Sequence, residues 1–323
     1  MSPMGITTLL FPGLIFVLTF VFLMADALTA GSSLRQDGRS PSAETAVERT
    51  SPVLIAHLNG VIDPIAAQYL ERVIGRAERD QATALVVYLD TPGGLDSAMR
   101  TMTQQVLAAR VPVVVYVAPA GARAASAGTF LTISAHLAAM APGTNIGAAH
   151  PVVLGGDQEG SALASKMVND AAALARTLAS QRGRNTDWAD RAVRESISAT
   201  EMEALEQRVI DLVARDLDDL LAQLDGRVVE TSAGPRTLVT RDAPRVAVDM
   251  TLMEILLHTL LNPNIAFILL NLGLLGLLAE FYHPGTLVPG ISGVIALLLG
   301  FVALGTLPVN WGAVLLLLLA LAL

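Results

Sequence analysis

The 323-residue chain is 53% hydrophobic and only 15% charged, with a mean hydropathy of +0.55; soluble domains carry about 25% charged residues, so this composition argues for membrane segments rather than a purely soluble globule. A net charge of −8 argues against a nucleic-acid partner, which needs a basic face for phosphates. The absence of cysteine excludes disulfides, thiol catalysis, zinc–thiolate sites and iron–sulfur clusters.

Residues 6–24 form an uncharged apolar run followed by Ala25-Asp26-Ala27, a small-x-small cleavage pattern. The run reads as a signal peptide or an uncleaved anchor within 1–30, and either places the following domain outside the cytoplasm. Residues 31–51 are polar, with Gly, Ser and Pro, and read as a linker. From 52 to 245, short β-branched runs alternate with helical patterns. Strands are expected at 53–60, 84–90 and 111–119, helices at 63–79, 95–109 and 124–135, and a short strand within 135–143. That alternation predicts an α/β domain with parallel strands and crossover helices. Residues 161–223 read as mainly helical, and 228–240 as a terminal hairpin turning at Ser232-Ala233-Gly234. After Arg245 no Lys or Arg occurs. Apolar runs at 264–281 and 291–307 predict membrane helices within 250–323. A third run, 313–323, is too short to span and is expected to be a membrane helix cut short.

Three features of the α/β domain carry possible chemistry. Asp90-Thr91-Pro92-Gly93-Gly94 follows an apolar strand; its glycines read as an ordinary strand-to-helix turn or as a cradle of exposed N–H groups. Ser126, in Gly121-Ala122-Arg123-Ala124-Ala125-Ser126-Ala127-Gly128, also follows a strand and opens a helix. It reads as a helix cap or as a nucleophile aided by the helix dipole. The third feature is a base. Of 21 basic residues, 20 are Arg and one is Lys166. That count reads either as compositional drift or as a position that needs an amine able to lose its proton, which guanidinium cannot do. Burial in an apolar pocket would favour the neutral amine. His150 is the competing base. His136 reads as a packed core residue, and His57, His258 and His283 as remote from the glycine turn. Ser97 is a lesser rival nucleophile, better suited to capping.

Five blocks then occur in order: DTPGG (90–94), VPVVVYV (111–117), GARAASAGTFL (121–131), MAPGTNIGAAHPV (140–152) and SKMVND (165–170). With NPNIAFILL (262–270) and EFYHPGTLVPGISG (280–293) they resemble the membrane-bound serine proteases of the NfeD family, within the Clp-protease/crotonase fold group. The resemblance implies a Clp-like domain of repeated ββα/βαβ units followed by transmembrane helices. It implies Ser126 as nucleophile, Lys166 as its general base, and an oxyanion hole from Gly93 or Gly94 together with Ala127. In soluble Clp relatives a histidine serves as base; His150 falls at the corresponding place, with no aspartate assignable to orient it. The implied activity is endopeptidase cleavage of apolar segments, without cofactor or metal, in a membrane-embedded homo-oligomer partnered by a stomatin-like protein. Family members often end in a small β-barrel domain, and no such domain is expected within these 323 residues. Two rival readings stand beside it. One is a catalytically weak membrane scaffold for a stomatin-like protein. The other is a crotonase-type acyl-CoA enzyme, which the apolar N-terminal run disfavours.

Overall fold

The computed structural model describes residues 51–152, 162–285 and 287–304. The N-terminal run, nearly all of the linker and the run 313–323 lie outside them.

The domain is built on alternation. β1 (Val53–Asn59) leads into α1 (Pro64–Arg79), β2 (Ala84–Asp90) into α2 (Asp96–Ala108), and β3 (Val113–Val117) into the short β4 (Arg123–Ala125) and α3 (Ala127–Ser134). Then follow β5 (Leu137–Met140), β6 (Asn145–Gly147), α4 (Ala162–Gln181), α5 (Thr186–Arg194), β7 (Ser198–Thr200), α6 (Glu201–Glu206), β8 (Leu212–Val213) and α7 (Leu217–Leu224). β9 (Val228–Thr231) and β10 (Gly234–Thr237) make the expected hairpin, and β11 (Arg245–Ala247) closes the domain. Three helices complete the described chain: α8 (Leu252–Leu260), α9 (Pro263–Tyr282) and α10 (Val288–Ala303).

β11, β1, β2, β3, β5 and β8 form one sheet in that order, with every pairing parallel. Parallel sheets are covered on both faces, and strand side chains alternate between them. Leu85, Val87 and Leu89 of β2 enter the core under α1–α4. Ala84 and Val86 enter the opposite core, with Tyr116, Leu220 and Leu224. The expected domain end at 245 falls inside β11, whose Arg245–Ala247 pair with Val53–Ile55 of β1. A second sheet, β4-β6-β7, was not expected from the sequence. Its three-residue strands hold the candidate serine.

His136 is a buried core residue, as expected. Its Nδ1 accepts from the Val113 N–H at 3.2 Å, while Nε2 is buried without a partner. Burial first, then the neighbouring charges of Arg182 and Arg184, push it down to about 3. The folded domain therefore keeps His136 neutral at pH values where the unfolded chain, titrating near 6.5, is protonated. Acidification from neutrality costs stability through this residue, about 3 kcal/mol by pH 4. In thermal unfolding of the detergent-solubilised chain, His136→Gln is expected to flatten the loss of Tm between pH 6.5 and 4; an unchanged slope would contradict this.

α9 has 20 residues and a mean hydropathy of 2.0, and is the one helix among the described residues long and apolar enough to cross a membrane. α10 packs on it through small residues. A Cβ on Gly293 would lie 2.8 Å from the Gly273 carbonyl oxygen, the close backbone approach that stabilises helix pairs in lipid.

Candidate active site

β1 and β2 end in register at Asn59 and Asp90. Beyond them the β1–α1 connection and the glycine turn run side by side. The Ile62 N–H donates to the Gly93 carbonyl at 2.9 Å, and the Leu95 N–H donates to the Ile62 carbonyl at 2.9 Å. A Cβ on Gly94 would stand 2.0 Å from the Ile62 oxygen. Only glycine permits so tight a splint.

The serine loop is laced to the same turn. Thr91 is fully buried. Its N–H donates to the Arg123 carbonyl at 2.8 Å, and its carbonyl accepts from the Ala125 N–H at 3.1 Å. Asp90 Oδ1 accepts from the Arg123 N–H at 3.0 Å. On the other side, the Ser126 N–H donates to the Gly147 carbonyl of β6 at 3.0 Å, and Thr129 Oγ1 donates to the same carbonyl at 2.9 Å.

Held from both sides, Ser126 adopts φ 52° and ψ −115°. That conformation is rare for a residue with a Cβ and is commonest at functional sites. Ser126 occupies the N-cap position of α3, yet its hydroxyl makes no capping hydrogen bond. The capping reading is thereby removed, and a half-buried hydroxyl is left at a strained strand-to-helix corner. Gly93 packs directly against it: a Cβ there would lie 2.7 Å from Ser126 Cβ and 3.2 Å from Oγ.

The glycine turn separates its two N–H groups. That of Gly93 donates to Thr91 Oγ1 at 3.0 Å, and Thr91 Oγ1 donates back to the Gly93 carbonyl at 3.1 Å. Of the two alternative donors, Gly94 and Gly93, the N–H of Gly93 is thus engaged within the turn. The part of Gly93 is to leave room for Ser126. Among the described residues, the Gly94 N–H and the Ala127 N–H at the first turn of α3 have no acceptor.

Ser126, Ala127 and Gly94 line one cleft. Met99, Phe130 and Met167 supply an apolar wall, and Asp96, Arg100 and Asp170 a polar edge. Arg100 bridges Asp96 on its own helix and Asp170 on α4, tying α4 to the helix that leaves the glycine turn. Lys166 lies one turn before Asp170. Its side chain is exposed and is not part of the cleft wall. Its neighbour Met167 does line the cleft.

The other candidates separate from this cluster. His150 Nδ1 pairs with the Val193 carbonyl at 2.8 Å, and its ring is absent from the cleft lining although Ala149 and Pro151 are in it. Ser97 faces a different groove, with Pro64 and Gln68, and Leu95 rather than Ser97 sits at the α2 cap. His57 lies 3.6 Å from Asp249. His258 departs most from expectation. Its Nδ1 pairs with Asp63 at 2.8 Å and its Nε2 with the Asn59 carbonyl at 3.2 Å, so it touches the connection that splints the glycine turn. Among the described residues no group of three His, Asp or Glu is placed to hold a metal.

Residues 53–224 match the family model described as NfeD1b, N-terminal domain, and residues 264–323 match the NfeD integral membrane domain. The chain belongs to the NfeD family. Membrane-bound protease PH1510 of Pyrococcus horikoshii is 37% identical to it over 273 residues, which is 83% of this chain and 62% of that protein. Two solved structures of the 1510-N membrane-bound stomatin-specific protease are also similar. A serine-to-alanine mutant is 36% identical, with TM-score 0.59, covering 62% of this chain and 99% of that one. A lysine-to-alanine mutant in complex with a substrate peptide is 35% identical, with TM-score 0.60, covering 65% and 97%. The NfeD chain described here thus shares its α/β domain with these proteases and carries a helical, apolar C-terminal region beside it.

The free Gly94 N–H gives a direct test of the turn. Gly94→Ala forces the turn off Ile62 and displaces that N–H. Should the cleft cleave peptides through an acyl-enzyme, kcat is expected to fall about 10²–10³-fold, the usual cost of one oxyanion donor. Steady-state kinetics checks this, and wild-type kcat in the Ala variant would exclude the Gly94 N–H as such a donor.

Proposed function

We propose that this NfeD-family chain is a membrane-bound serine endopeptidase that cleaves apolar peptide segments with a Ser-Lys dyad. One observation carries the reading: an uncapped serine hydroxyl at a strained corner, with two backbone N–H groups in the same cleft that find no acceptor among the described residues. In the proposed reaction a peptide lies across the cleft and covers Lys166 on its long, flexible stem. Neutral Lys166 takes the proton of Ser126, whose oxygen attacks the scissile carbonyl carbon. The Gly94 and Ala127 N–H groups hold the oxyanion. Lys166 then returns the proton to the leaving amine, and a water, activated by the same amine, hydrolyses the acyl-enzyme.

The apolar wall of Met99, Phe130 and Met167 supports a preference for apolar side chains at the cut. The domain is proposed to lie on the extracytoplasmic side of a multi-pass membrane region, with a stomatin-like membrane protein as substrate or partner. The test is fluorophosphonate labelling of the reconstituted chain followed by peptide mapping. The adduct is expected on the peptide containing Ser126, with parallel cleavage of an apolar peptide. An unlabelled protein that cleaves nothing would end the protease reading.

A further inference from the structure

α8 stands between the catalytic domain and the membrane helix, and its two sides differ sharply. Thr251 and Glu254 close a capping box at its start. Glu254 then receives Arg72 of α1 bidentately, at 2.9 and 2.7 Å. One turn on, His258 meets Asp63, the residue that caps α1. Arg72 also donates to the Asp249 carbonyl at 2.9 Å. The polar side of α8 is thus fastened to α1 at both ends.

The opposite side carries Leu252, Met253, Ile255 and Leu256. All are exposed, Leu252 at 87% and Leu256 at 62%, and no residue of the helix is buried. At about 100° per residue these side chains share one face, with Glu254 and His258 behind them. The fastening prevents the helix from rolling this face onto the domain. Only Leu261 and Asn262 separate α8 from α9, the membrane-crossing helix. The apolar face therefore lies two residues in sequence from a helix long and apolar enough to cross a membrane, and it bears no charge.

We propose that α8 is an interfacial membrane helix: its apolar face lies in the headgroup–acyl boundary of the bilayer, and its polar face holds the catalytic domain against the membrane surface. The partner is the lipid bilayer itself. This inference is independent of the chemistry at Ser126. Helices of this kind bury their apolar side about 5–10 Å into the boundary. The fastened α8 fixes the height and tilt of the cleft over the membrane, where a two-residue hinge alone would leave both free.

The absence of cysteine allows a clean test. Leu252→Cys and Leu256→Cys are made in the full chain, spin-labelled and reconstituted at about one chain per phosphatidylcholine nanodisc. Thr237→Cys on β10 supplies an aqueous reference and Phe267→Cys on α9 a bilayer reference. Power-saturation EPR compares collision with oxygen and with a water-soluble nickel chelate. At 252 and 256 the nickel accessibility is expected to fall about fivefold below Thr237 while oxygen accessibility rises, giving a shallow immersion depth. Labels that match Thr237 would overturn the proposal. So would labels shielded from both reagents with spin–spin broadening, which would identify a second copy of the chain as the occupant.

Discussion

Ser126→Ala is expected to abolish fluorophosphonate labelling and to reduce peptide hydrolysis by at least about 10³-fold. Loss of a serine nucleophile leaves only the donors and binding contacts, whose residual effect over water is small beside the intact machinery. Ser126→Gly should be equally inactive but more stable than Ser126→Ala. Alanine at φ 52° keeps the strain that serine bears, about 1–3 kcal/mol. Glycine releases it but adds roughly 0.5–1 kcal/mol of unfolded-state entropy. The glycine variant should therefore unfold at a Tm several degrees above the alanine variant. Labelling that survives in Ser126→Ala, for instance at Ser97, would move the nucleophile elsewhere. Equal Tm values would mean that the corner is not under strain.

Lys166→Arg is expected to be as inactive as Lys166→Ala, with a loss of about 10³-fold or more in kcat. Arginine keeps length and charge but cannot give up its proton to become the base. A merely structural or substrate-attracting cation at this position would tolerate the exchange. His150→Ala is the paired measurement. Its ring is held by the Val193 carbonyl and lies off the cleft, so most activity should remain. Loss with His150→Ala and retention with Lys166→Arg would exchange the two assignments.

The larger frame was legible because it rests on periodic sequence. The runs ending at Asp90 and Val117 are β-branched and apolar, and they form central strands buried on both faces. β4, β6 and β7 were not legible. RAA, NIG and SAT carry no strand signal, and their pairing exists only because the surrounding chain brings them together. Yet these strands set the backbone of Ser126. The choice between Gly93 and Gly94 turned on Thr91, whose side chain takes the N–H two residues on; that local Ser/Thr turn was within reach of the sequence. The approach of His258 to Asn59 and Asp63 was not, because almost 200 residues intervene.

Residues 59–63 answer to two masters. Ile62 backs the turn that presents the Gly94 N–H, while Asn59 and Asp63 receive His258 from the stem of the membrane anchor. A fragment ending near residue 250 would lose both contacts of His258 with the 59–63 connection that braces the glycine turn.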